Sequence, residues 1–72
     1  MEYTSVNITS EEITLGQFLK FIDVLSSGGD VKWFLSEHVI YVNEQLENRR
    51  GRKLRDGDRI VIQEVGSYQI TR

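Results

Sequence analysis

Residues 39–62, "VIYVNEQLENRRGRKLRDGDRIVI", decide the fold, because here the hydrophobic period falls to two after a helical first half. "VIYVNEQLE" reads as strand, turn and strand, with the turn at Asn43 and Glu44, since asparagine tolerates the left-handed backbone that a two-residue hairpin turn requires. A second turn, "RDGD" at 55–58, leads into "RIVIQEV", in which Ile60 and Ile62 face one way and Val61 the other. The final "GSYQITR" can extend the same sheet, and the opening "MEYTSVNI" alternates with period two in the manner of an edge strand.

Upstream, "ITLGQFLKFIDVL" places Leu15, Phe18, Leu19 and Ile22 at i, i+3, i+4 and i+7, the stripe a helix buries. Thr14 is positioned to cap that helix, with Gln17 reaching back and Ile13 stapling onto Phe18. "SSGGDVKWFLSEH" repeats the pattern, with Ser27 as cap, Asp30 at the third helical position and Val31, Phe34 and Leu35 as the apolar stripe. Two short helices so close in sequence pack as a hairpin. The expectation is an α+β fold: a two-helix hairpin on a small antiparallel sheet of about three to five strands.

The decisive stretch also carries the charge. Residues 48–60 hold six basic and two acidic residues, a net +4, while the remaining three basic and nine acidic residues carry −6. A chain of 72 residues is expected to form one domain, 1–72, whose modest core leaves little room for an enclosed catalytic pocket. It has no cysteine, which removes disulfides, thiolate metal sites and thiol nucleophiles. No apolar span or secretory leader is visible, so a cytoplasmic protein without membrane contact is expected.

The order "TLGQFLKF", "SGGDVKWFL", "VIYVNEQLENRRGRKLRDGDRIVI" resembles the S-four-type RNA-binding domain (the alpha-L motif), named after a small-subunit ribosomal protein, in its short stand-alone bacterial version. The resemblance covers residues 14–62. It implies two helices and a following hairpin that grip structured RNA, commonly ribosomal RNA, in ribosome assembly or translation. Two departures stand out. Many members carry an arginine where this chain has Ser27 and Gly28, which shifts the binding toward the loop. Glu44 replaces the glycine that usually follows the hairpin asparagine, at a cost on the order of 1 kcal/mol if it adopts a left-handed backbone.

The residue chemistry runs parallel to the resemblance. Clustered Lys and Arg bind phosphates by releasing condensed counterions, and planar guanidiniums both fork onto phosphates and stack on bases. Arg49, Arg50, Arg52, Lys53 and Arg55 are the candidate RNA-binding residues of a basic loop, in which Gly51 allows close backbone approach. Lys32 on the second helix and Lys20 on the first are candidates for the same face. A solvated loop offset by the acidic remainder would use the same residues. On the RNA-binding reading, replacing Arg49, Arg50 and Arg52 by alanine is expected to abolish RNA retention while leaving thermal unfolding nearly unchanged. Gly28 and Gly29 could admit a phosphate at the second helix, although a capping box explains that turn without a ligand. Trp33 points about 100° off the apolar stripe; core or rim packing is expected for it rather than base stacking.

Catalysis finds little support. His38 lacks metal-binding company and reads as a helix-end residue, and Asp56 and Asp58 shape a turn. No enzyme activity, metal or cofactor is expected, and a monomer is favoured. Two other readings keep sequence support. "LRDGDRIVIQEVG" resembles the end of β-grasp sulfur carriers, whose terminal Gly-Gly is replaced here by "YQITR". A protein-interaction module, with a ribosomal or accessory protein partner, would use Trp33, Tyr41 and Leu46 as an apolar patch or pair through the edge strand.

Overall fold

The computed structural model describes residues 2–22 and 31–72. Nine elements follow in order: β1 (Thr4–Asn7), β2 (Glu12–Thr14), α1 (Leu15–Phe21), α2 (Val31–Glu37), β3 (Ile40–Val42), β4 (Gln45–Leu46), β5 (Lys53–Arg55), β6 (Arg59–Ile62) and β7 (Gly66–Thr71). Five strands form one sheet in the order β1-β7-β6-β3-β4, and β2 pairs with β5 in a separate two-stranded sheet.

The helices follow the local rules. Thr14 accepts from the Gln17 amide at 3.2 Å, and its own amide donates to Gln17 Oε1 at 2.9 Å, a complete capping box. Leu15, Phe18 and Leu19 of α1 and Val31, Phe34 and Leu35 of α2 are buried together, with Ile13 and Ile22 packed against them. At the end of α2 the His38 amide closes onto the Phe34 carbonyl at 3.0 Å, and its ring stacks on that of Phe34 at 4.1 Å. The turn proposed at Ser27 to Asp30 lies outside the described residues.

The sheet supplies the opposite wall of the core. Ile40 faces Ile62 and Val42 faces Ile60 across β3 and β6, and Val6 of β1 faces Ile70 of β7. All six are buried, as is Leu54 of β5. The β3–β4 hairpin turns through Asn43 and Glu44, both left-handed with φ of 51° and 69°, so Glu44 does occupy the conformation that favours glycine. Asp58 fixes the neighbouring turn by accepting from the Arg55 amide at 2.8 Å and from Asn43 Nδ2 at 3.1 Å. Gly57 relieves that turn with a φ of 93°.

The expected architecture stands, with two corrections. The main sheet is mixed rather than antiparallel, because β1 runs parallel to β7; strands at opposite ends of the chain have no hairpin to dictate their sense. Lys53 and Arg55 belong to a strand rather than to a loop. Leu54, the residue between them, needs a buried site and finds it by pairing with Ile13 of β2.

Candidate nucleic-acid interface

The basic segment is an arch anchored at both ends. At its start the Glu47 amide donates to the Ile40 carbonyl at 2.8 Å, extending the hairpin ladder beyond β4. At its end, β5 pairs with β2 so that Thr14 lies opposite Lys53 and Glu12 opposite Arg55. Between these anchors the arch docks on the first turn of α1. The Leu15 amide donates to the Arg52 carbonyl at 2.7 Å and the Gly16 amide to the Arg50 carbonyl at 2.9 Å. With the Thr14 cap, the amides of Leu15, Gly16 and Gln17 are all satisfied, donors that a helix start would otherwise leave open.

Beneath the arch sits Glu47, only 6% exposed. Its Oε2 accepts from the Arg49 amide at 3.1 Å and from Arg49 Nε at 3.0 Å, and its Oε1 accepts from Arg49 Nη2 at 3.4 Å and Arg52 Nη1 at 3.1 Å. Charge-assisted bonds from Arg49 outweigh the burial that opposes ionisation and hold the Glu47 carboxyl at about 2. On the adjoining two-stranded sheet, Glu12 bridges Lys53 Nζ and Arg55 Nε, each at 3.2 Å. Lys53 first, then Arg55, lowers the Glu12 carboxyl from its ordinary value.

These pairs sort the six cations. Arg49 and Arg52 share one carboxylate and Lys53 and Arg55 another. Arg59 stands away from the arch on β6, its guanidinium 5.2 Å from the centre of the Tyr3 ring. Arg50 is exposed and makes no ion pair among the described residues. It opens onto a groove of about 350 Å³ lined by Lys32, Leu35, Ser36, Asn48 and Arg50. The structure thus brings Lys32 of α2 to the same groove as the arch. Lys20 is exposed near the end of α1 and is not among the lining residues. It stands about 6 Å further along the helix axis than Gly16, where the arch docks. Gly28 and Gly29 lie outside the described residues. A Cβ on Gly51 would meet nothing within 4 Å, so the crown of the arch is open.

Two expectations change here. Trp33 is 59% exposed rather than packed, since Val31, Phe34 and Leu35 already fill the inward positions of a seven-residue helix. The arginines are also more than solvated charge: Arg49 and Arg52 are the counterions of a buried carboxylate, so the alanine triple substitution cannot be structurally silent. Glu47 itself escaped sequence reasoning. A glutamate before a run of arginines reads as one more surface charge, and alternation gives no warning, because the apolar Leu46 beside it is the residue that pattern alone would turn inward.

No helix among the described residues is long and apolar enough to cross a membrane. The S4 domain family model matches residues 6–71. The chain is also similar to the probable ribosome maturation protein RlbA of Bacillus subtilis (strain 168), with 57% identity over 65 residues, 90% of this chain and 92% of that protein. No solved structure matches. Two helices against a mixed sheet, with a β-hairpin leading into the basic arch, agree with this family and leave the β-grasp alternative without support. The chain belongs to the S4 domain family.

Proposed function

We propose that this chain binds structured RNA, with ribosomal RNA as its target, and acts without catalysis in ribosome assembly or translation. The observation that carries the reading is the groove in which Arg50 of a fixed arch and Lys32 of α2 converge, with Ser36 and Asn48 as further polar contacts. Two cations flanking a concave, partly polar wall suit the phosphates of a folded RNA strand, and the exposed faces of Arg49, Arg52, Lys53 and Arg55 extend the positive surface beyond it. Lys20 is a peripheral contact at most. Gly28 and Gly29 are secondary phosphate contacts on this reading. The relative's name, a ribosome maturation protein, points to the same setting and to a cytoplasmic location.

The test is an amide chemical-shift titration with ribosomal RNA fragments at two salt concentrations. Shifts should concentrate at Lys32 and Asn48 to Lys53 and shrink as salt rises. A second reading has its own observation: Leu46 on the edge strand β4 is 69% exposed and stands opposite the exposed Tyr41, a pair suited to a ribosomal or accessory protein. Shifts confined to Tyr41, Leu46 and the terminal strands would favour it over RNA.

A further inference from the structure

We infer that Glu47 is the positioning residue of the RNA-binding arch: from beneath the loop it fixes Arg49 and Arg52, and so sets Arg50 in the groove it shares with Lys32. The inference rests on the RNA-binding reading above and adds to it a residue whose charge has the wrong sign for a polyanion site. Electrostatics alone disfavours an acid there, because each carboxylate lowers the local positive potential.

Its burial makes the placement costlier still, since a carboxylate taken out of water must be repaid by close partners. Glu47 is the one buried charged residue among the described residues, and both of its oxygens are engaged. The bond from Arg49's own amide fixes main chain as well as side chain. The Arg52 amide then closes a turn onto the Arg49 carbonyl at 3.1 Å. On the far side, Gly16 and Leu15 hold the carbonyls of Arg50 and Arg52. The backbone at position 50 is therefore fixed from both directions before any ligand arrives, while the Arg50 side chain stays available. A loop ordered in advance does not have to lose its freedom on binding, and that gain can exceed the loss of one unit of charge.

The sign of one substitution separates positioning from neutralisation. Glu47→Gln raises the net charge by one and keeps the side-chain length. If Glu47 only offsets surplus arginine charge, RNA binding stays equal or tightens. If it positions the arch, binding weakens about tenfold, the loss expected when one or two ordered side chains become mobile. Affinity is measured by fluorescence anisotropy of the full chain with labelled ribosomal RNA fragments, at a temperature where circular dichroism shows both proteins folded. A loss of global stability alone then leaves the affinity unmoved.

Amide hydrogen exchange on the free proteins provides a readout independent of RNA. The amides of Leu15, Gly16 and Arg52 should exchange faster in E47Q while those of β6 stay protected. Unchanged exchange at these three amides overturns the inference, as does equal or tighter RNA binding. If E47Q fails to fold, Glu47→Asp, which keeps the charge and shortens the reach, carries the same two measurements. A wild-type chain that binds no ribosomal RNA fragment sinks the RNA reading and this inference with it, an outcome distinct from wild-type binding that E47Q preserves.

Discussion

The amide of Gly16 donates to the carbonyl of Arg50 at 2.9 Å, so the first turn of α1 and the crown of the basic arch meet backbone to backbone. A Cβ at position 16 would lie 3.4 Å from that oxygen and 3.5 Å from Val31 Cγ1, which leaves room for a methyl group and little more. Gly16→Ala should fold, with up to about 1 kcal/mol of helix propensity in its favour. Gly16→Leu should lose about 1–3 kcal/mol through overpacking and push the arch from its seat. Thermal unfolding and RNA retention, measured on both variants, test the pair.

The arginines should divide into two groups. Arg49→Ala with Arg52→Ala leaves the Glu47 carboxylate buried without its side-chain donors, and a buried polar group left unsatisfied costs about 1–3 kcal/mol. Arg50→Ala removes no ion pair among the described residues and should change stability by no more than about 0.5 kcal/mol, while lowering RNA affinity. Chemical denaturation of the single and double variants reads the difference.

Acid should expose the same carboxylate. Glu47 titrates at about 2 when folded against an ordinary 4.5, a depressed value, so its contribution is complete above the ordinary value and is lost as pH falls through the folded one. Its share is on the order of 1–3 kcal/mol once solvent screening at the exposed Arg49 is allowed for, and Glu12, lowered in the same direction, adds to the decline. Unfolding free energy should be level from neutral pH to about pH 5 and fall toward pH 2. In Glu47→Gln most of that fall should be missing.

Glu44 holds a left-handed backbone with φ of 69°. Glu44→Gly should stabilise the hairpin by about 1 kcal/mol, raising the melting temperature by roughly 4–8 °C for a domain of this size. A differential scanning measurement that shows no rise would mean that the Glu44 side chain offsets the strain.

Salt dependence counts effective cations. Glu47 and Glu12 each cancel one charge from a pair of cations, which leaves Arg50 and one net charge from each pair on the arch. The arch should therefore contribute a slope of log K against log salt of about −2 to −3. Six uncompensated cations would give a slope steeper than about −4.

What was legible in the sequence was local. The capping box at Thr14 and Gln17, the stripe Leu15, Phe18, Leu19 and the Asn43–Glu44 turn each depend on neighbours a few residues away, so pattern alone finds them. The pairing of β2 with β5 was hidden because two three-residue strands far apart in sequence pair only once α1 and the hairpin bring them together; Leu54 between two cations was the single trace of it. Glu47 was hidden for the opposite reason. Its identity suggests water, and only the fold reveals that the carboxylate is buried beneath two arginines that cover it from the solvent side. Trp33 stands out in solvent because Val31, Phe34 and Leu35 already fill the inward positions of α2, an outcome that its size and apolar character do not foretell.

One pairing bears on how the chain reaches this state. Thr4 aligns with Tyr68 and Val6 with Ile70, and every other element is threaded between the two strands. During synthesis the earliest strand therefore waits for the latest before it gains a neighbour, and its buried Val6 has no shelter until then. Assembly of this small domain is held back to its final residues, so an incomplete chain exposes an unpaired edge rather than a partly working binder.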